Sequence, residues 1–254
     1  MSATAFRYDV HYPESDGQPM GETDFHRQEM MDLISALEGY FEEAGDVYVS
    51  GNLFFYYRKG DPRSVVCPDV FVVKGVDPGP RRIYKLWEEG RVPSFVIEVS
   101  SESTCDEDLG RKKQTYADLG VEEYFLHDPF EEYLSPPLQG FALEEGEYRR
   151  LEPAADGSLQ SVATGLILRR EGPHLRLVNA ATGEPLLRMD ETRARARQAE
   201  AARREASTAR REASTARREA NTARREAEQE RTARQALEEE LARLRQELAR
   251  RPPS

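Results

Sequence analysis

Phe95-Val96-Ile97-Glu98-Val99-Ser100, a polar stretch to Glu107, Asp108–Leu119, Gly120, and then Val121–His127 form the segment that decides the fold. The first run is short, apolar and rich in β-branched residues, and reads as a buried strand. Asp108–Leu119 has helical spacing, with Gly120 placed as its C-cap. Val121–His127 is a second strand, and Asp128-Pro129 turns the chain. Strand, helix, strand is the unit that joins two parallel strands. The class expected from it is α/β with a mixed sheet.

The same segment holds a chemical anomaly. Glu98 interrupts an apolar strand with no turn signal beside it, and a buried ionised carboxylate costs several kcal/mol unless it is compensated. Asp69 raises the same question within Val65-Val66-Cys67-Pro68-Asp69-Val70-Phe71-Val72-Val73. Pro68 has no ladder N–H, so that strand is expected to be irregular or at an edge there. Each carboxylate has an ordinary explanation: a satisfied turn residue for Asp69, one half of a Glu–Arg pair for Glu98. Asp108, Lys112 and Tyr116 stand at i, i+4 and i+8 and share a helix face. By themselves they read as a surface ion pair and a half-buried tyrosine. Taken together, Asp69, Glu98 and Lys112 fit a divalent-metal site. Hard cations take carboxylate oxygens, and Mg²⁺ commonly takes only one or two of them, plus waters. A lysine beside the attacking water orients it or balances charge in the transition state.

Upstream, a helix pattern begins at Thr23 or Asp24, with Phe25, Met30, Ile34 and Leu37 on one face and Ala44-Gly45 as a stop. Val47-Tyr48-Val49 and Leu53–Tyr57 read as strands, and the Asp69 strand as the second arm of a hairpin. A loop with a short helix around Tyr84–Glu89 is expected over 74–93. Downstream, apolar runs alternating with glycines from Phe141 to Leu187 predict antiparallel hairpins, and the globular domain is expected to span 1–189.

Residues 190–254 differ in kind. Arg204–Arg210 and Arg211–Arg217 both read REASTAR, and Arg218–Arg224 reads REANTAR. This period of seven places Ala206, Ala209, Ala213, Ala216, Ala220, Ala223 and Ala227 on one seam, which Glu230 and Arg234 interrupt before Leu237, Leu241, Leu244 and Leu248 continue it in the same register. A long C-terminal α-helical coiled coil is expected, with the leucines as the main clamp and a homodimer as the assembly. A single solvated helix is the other reading.

The charge divides with the architecture. Residues 191–254 hold 17 Arg and 12 acidic residues, a net of +5, and 1–190 carry a net of −16. An acidic globular part argues against a broad duplex-gripping face unless a local basic patch or a bound cation offsets it. Cys67 and Cys105 form no CxxC motif and are expected to be small buried residues in a reducing, cytoplasmic setting. No signal-like N-terminus or run of ~18 apolar residues is present, so neither export nor membrane insertion is expected. His26, His127 and His174 have no metal-ligand spacing.

Four motifs occur in order: Pro68-Asp69; Pro93-x-x-Val96-Ile97-Glu98-Val99-x-Ser101; Asp108-x-x-x-Lys112-x-x-x-Tyr116-x-x-x-Gly120-Val121-x-Glu123-Tyr124; and Asp128-Pro129. With them the chain resembles, over about residues 10–185, the Uma-two family of restriction endonucleases, within the PD-(D/E)XK nuclease superfamily. Tyr12-Pro13-x-Ser15-Asp16-Gly17-Gln18-Pro19-Met20 resembles a branch whose members often carry a coiled-coil tail. The resemblance implies a restriction-endonuclease-like core that hydrolyses phosphodiester bonds, with Mg²⁺ or Mn²⁺ as cofactor and nucleic acid, DNA first, as substrate. It assigns Asp69 and Glu98 as metal ligands and Lys112 as the catalytic lysine. Glu22 is the nearest match to the acidic residue that the first helix often adds. Ser100 stands where the superfamily usually has its lysine, so the assignment requires Lys112 to reach the carboxylates from the helix. Lys113, ~100° further around the helix, is the second choice. The alternative function is a non-catalytic nucleic-acid- or protein-binding module with a nuclease-like fold and an oligomerising tail.

Overall fold

The computed structural model describes residues 10–15 and 23–249. Asp16–Met20 and Glu22, singled out above, lie outside them. The chain divides into two compact units, Met1–Thr192 and Arg193–Ser254.

In the first unit, Thr23 caps α1 (Asp24–Phe41), its Oγ1 accepting the His26 N–H at 3.1 Å. The helix buries Met30, Leu33, Ala36 and Leu37. The strands are β1 (Val47–Ser50), β2 (Phe55–Tyr56), β3 (Val65–Val66), β4 (Val70–Lys74), β5 (Tyr84–Lys85) and β6 (Phe95–Val99). They continue with β7 (Glu123–His127), β8 (Leu138–Glu144), β9 (Glu147–Arg150), β10 (Leu159–Ser161), β11 (Leu166–Glu171) and β12 (His174–Asn179). The main sheet has the order β1-β4-β6-β7-β8-β9. β6 and β7 pair in parallel, from Phe95 opposite Glu123 to Val99 opposite His127. The other pairs in that sheet are antiparallel. The strand–helix–strand reading therefore holds, and the architecture is a mixed α/β core.

Alternation along β6 sorts its side chains. Phe95, Ile97 and Val99 join the core under α1, together with Leu166, Leu168, Leu175 and Leu177 of the β10-β11-β12 sheet. Val96 joins the aromatic core on the other face, with Tyr116 and Tyr124, and Glu98 follows that face by its period of two.

Three expectations need correction. Val65–Val73 is not one strand, because it breaks at Cys67-Pro68-Asp69. β3 pairs with β2 in a small sheet of order β3-β2-β5, and β4 pairs with β1 and β6. The missing Pro68 N–H prevents a continuous ladder, and the Pro68 carbonyl instead accepts from Asn52 N–H at 2.8 Å. Asp69 thus stands in the break between two sheets. The helix over 108–119 is also irregular. It runs as α3 (Cys105–Glu107), a π turn (Asp108–Lys112) and α4 (Lys113–Leu119), closed by Gly120 at φ +86°. The short helix near Tyr84 is α2 (Leu86–Glu89), entered from β5. Cys67 and Cys105 are half-buried rather than buried.

His127, at the end of β7, is fully buried, with Nε2 3.0 Å from the Pro173 carbonyl. Burial pushes its pKa down to about 4. An unfolded chain takes up that proton from about pH 6.5, so acid favours unfolding in the window from 6.5 to about 4. The expected loss across it is on the order of 3 kcal/mol. Denaturant midpoints at pH 7 and pH 5 should differ in the wild type and converge in His127→Gln.

α5 (Met189–Ala249) is one helix of 61 residues. Its first turn is held by Arg176, whose guanidinium donates to Glu191 at 2.7 and 2.9 Å, and by Asp32, which accepts the Met189 N–H at 3.1 Å. In the second unit, Thr208, Thr215 and Thr222 each donate to the carbonyl four residues back, at 3.1 Å, and so repeat the heptad. Leu237 and Leu241 are exposed, while the side chains of Leu244 and Leu248 lie outside the described residues. Among the described residues no helix is long and apolar enough to cross a membrane.

Candidate active site

The break at Asp69 and the last residues of β6 bring the two anomalous carboxylates together. Asp69 N–H donates to Glu98 Oε2 at 3.2 Å, and Val99 N–H returns a bond to Asp69 Oδ2 at 2.8 Å. Reciprocal bonds of this kind fix the spacing of the two groups through the backbone. Gly51 makes the approach sterically feasible, since a Cβ there would stand 1.9 Å from the Asp69 carbonyl oxygen and 2.7 Å from Ile34 Cδ1. Gly51→Ala is expected to cost about 1–3 kcal/mol through overpacking. It should also displace Asp69, so any cleavage activity should fall further than the shift in the denaturant midpoint explains.

Lys112 reaches the carboxylates from the helix. Its Nζ lies 3.0 Å from Glu98 Oε2 and 2.9 Å from Asp108 Oδ1. Tyr116 completes the set by donating its hydroxyl to Glu98 Oε1 at 2.7 Å. The π turn has a geometric consequence here. Positions four apart on an α-helix drift by ~40° around the axis, so Asp108, Lys112 and Tyr116 would fan out on a regular helix. A wider π turn drifts the opposite way, which keeps Lys112 and Tyr116 on Glu98 and Asp108 on Lys112. The Asp108–Lys112 pair is therefore buried, with both residues under one-tenth exposed, and is not the surface pair the spacing alone suggested. Lys113 points elsewhere, its Nζ lying 3.5 Å from the centre of the Phe141 ring.

Glu98 is fully buried, and burial raises its pKa, with Asp69 and Asp108 adding to the rise and Lys112 opposing it. Burial likewise raises Asp108. For Lys112, burial works to lower the pKa, but Glu98, Asp108 and Asp69 outweigh it and hold the ammonium above the ordinary lysine range. Lys112 is thus a fixed cation at neutral pH rather than a general base. Tyr116 is raised by burial first and by Glu98 second, so its hydroxyl stays a donor.

Sequence reasoning did not single out His26. From the first turn of α1 its Nε2 stands 3.4 Å from Asp69 Oδ2. No spacing could have revealed this, because 43 residues separate the two. Asp69 and His26 open onto a cleft of about 490 Å³, walled by the 100–104 loop and by Pro129, Phe130 and Tyr133. Asp128 shapes that second wall, its carboxylate accepting the N–H groups of Phe130, Tyr133 and Leu134 at 2.6–3.2 Å. Asp69, at 16% side-chain exposure, is the carboxylate that faces the cleft.

Among the described residues no three His, Cys, Asp or Glu side chains form a ready-made metal site. The donor chemistry nevertheless suits a hard cation. Glu98 accepts the backbone N–H of Asp69, the Asp69 carboxylate borders the cleft, and Mg²⁺ commonly binds through one or two carboxylates and keeps its waters.

The mixed α/β core is consistent with a restriction-endonuclease-like fold. The family model Uma2, described as "Putative restriction endonuclease", matches residues 5–170, and the chain belongs to that family. A crystal structure described as "a putative nuclease belonging to DUF820" from Anabaena variabilis matches with 16% identity and a TM-score of 0.42, covering 61% of this chain and 86% of that one. No curated protein matches.

Proposed function

We propose that the chain is a metal-dependent endonuclease that hydrolyses phosphodiester bonds of nucleic acid, DNA by preference, in its first 189 residues. The observation that carries this reading is the convergence of Asp69, Glu98 and Lys112, from three separate segments, in one buried cluster of which Asp69 borders the cleft. Asp69 and Glu98 would hold Mg²⁺ or Mn²⁺, which supplies Lewis-acid polarisation of the phosphoryl oxygen and the attacking water. The chain does the rest. Val99 N–H orients Asp69, while Tyr116 and Lys112 hold Glu98 in a single rotamer. The Lys112 ammonium, paired with Glu98, balances negative charge as the water oxygen bonds to phosphorus and the P–O bond to the leaving oxygen breaks, the water's proton passing through solvent to that oxygen. Residues 190–254 would pair with a second copy through the alanine–leucine seam, a reading supported by the heptad on either side of Glu230 and Arg234 and by exposed Leu237 and Leu241.

Supercoiled plasmid incubated with purified protein tests the catalytic reading. Nicking in Mg²⁺ or Mn²⁺ and none in EDTA is the expected result; an inert protein in both metals contradicts it and favours the binding-module alternative. Sedimentation of the full chain and of a 1–190 truncation tests the tail. The dimer should be lost with residues 191–254.

A further inference from the structure

Charge is distributed unevenly over the acidic unit. Residues 58–91 contain eight basic and five acidic side chains, a net of +3, while the rest of 1–190 contains eleven basic and thirty acidic, a net of −19. A polyanion approaching this unit meets the least repulsion at that one segment. The fold gathers part of it at one edge. β5 pairs in parallel with β2, Phe55 opposite Tyr84 and Tyr56 opposite Lys85. α2, which continues β5, and the turn over 57–64, which continues β2, therefore leave the small sheet at the same end. Tyr12 ties them together. Its ring lies 4.9 Å from Trp87 and 5.1 Å from Tyr56, its hydroxyl accepts the Gly60 N–H, and Lys85 Nζ lies 5.7 Å from its centre. The Tyr56 hydroxyl donates to the Pro13 carbonyl at 2.6 Å and holds that segment down.

At the turn, Arg58, Lys59 and Arg63 are exposed. Arg63 pairs with Asp61 at 3.4 Å while its side chain stays 94% exposed, and Arg58 and Lys59 make no ion pair among the described residues. Three solvated cations beside a Tyr–Trp pair combine the two elements by which proteins hold an unpaired strand: charge that tracks the phosphates and a ring on which a base stacks. A duplex would engage only the charges.

We propose that the 57–64 turn, α2 and Tyr12 form a docking platform for single-stranded nucleic acid, with phosphates on Arg58, Lys59 and Arg63 and a base stacked against Tyr12 and Trp87. The proposal rests on the nuclease reading for what the held strand is used for. Gly60 is nine residues from Asp69, a separation of at most ~30 Å if fully extended, so one strand can occupy the platform and still reach the cleft.

Trp87 is the single tryptophan of the chain, and its fluorescence reports on this surface without a label. Full-length protein titrated with oligothymidylate in EDTA should show saturable quenching. The log of the affinity should fall with log salt at about −0.7 per phosphate held, or roughly −2 for three contacts. Arg58→Glu/Lys59→Glu should weaken binding at least ~tenfold and flatten that slope, while Arg149→Glu/Arg150→Glu on β9 should change it less than ~twofold. Both pairs are exposed, so folding is not at issue. Absence of quenching, quenching indifferent to the turn variant, equal loss in the β9 variant, or tight binding of a closed duplex without quenching each overturn the platform. A protein that quenches normally but never nicks in Mg²⁺ or Mn²⁺ overturns the nuclease reading and leaves the platform standing. One that nicks without quenching does the reverse.

Discussion

Replacing Lys112 with methionine is expected to destabilise the first unit by about 3–5 kcal/mol and to abolish any cleavage. The size of the effect follows from what would be left behind. Glu98 and Asp108 are both essentially sealed from solvent, and Lys112 Nζ is the cation within 3.0 Å of each. Truncating one partner of a buried ionic cluster leaves uncompensated carboxylates, which costs far more than the cluster contributes as a whole. For a unit of this size the melting temperature should fall by on the order of 10 °C. The pH dependence follows from the same charges. Without the ammonium, the two carboxylates relax by taking up protons, so the variant should gain stability relative to wild type as pH is lowered from 7 to 5. Urea midpoints at the two pH values give both quantities. Lys112→Met/Asp108→Asn should recover part of the loss, because one of the two stranded charges is then gone. Equal stability of Lys112→Met and wild type at pH 7 would mean that the cluster is solvated and that the burial argument is wrong.

Asp69→Asn should behave in the opposite way, with the fold intact and cleavage reduced by at least ~10²-fold, in the range seen for loss of one group that stabilises transition-state charge. Asparagine is isosteric and retains an oxygen to accept the Val99 N–H, so the reciprocal bonds with β6 survive. What it lacks is the negative charge facing the cleft, which a hard cation requires. Calorimetric titration with Mn²⁺ should show binding to wild type and none to Asp69→Asn, with matching circular dichroism and urea midpoints. A variant that unfolds, or one that binds Mn²⁺ as wild type does, removes Asp69 from the site.

The mixed sheet was legible because its signals are local. The Phe95–Ser100 and Val121–His127 runs flank a helix whose Gly120 stop is explicit, and a parallel pair is the economical way to connect them. Glu98 was legible as an anomaly because a charge in a buried strand demands a partner, whereas the spacing around Lys112 by itself suggested a surface pair and its assignment to the site came from the family resemblance. Less visible was how Lys112 is held. The π turn at Asp108–Lys112 comes from hydrogen-bond choices that no residue pattern in the segment announces, and it turns an apparent surface pair into a buried one. Pro68 did signal an irregularity. Splitting of the strand between two sheets, however, depends on the Asn52–Pro68 bond and on Gly51, which are defined only by the tertiary arrangement. His26 reaches Asp69 from another element altogether, and such approaches leave no trace in spacing. In the tail, the heptad was plain and the long helix follows from it. A solvated helix and one strand of a coiled coil share that pattern, and only the number of chains distinguishes them.

Side-by-side nicking of supercoiled plasmid by wild type and Asp69→Asn, at equal folded concentration and in Mg²⁺, is the most direct measurement of whether this carboxylate–lysine cluster is a hydrolytic centre. The expected result is nicking by wild type that EDTA stops, and nicking at least ~10²-fold slower by Asp69→Asn. Nicking by both at the same rate, or by neither in Mg²⁺ or Mn²⁺, would contradict it.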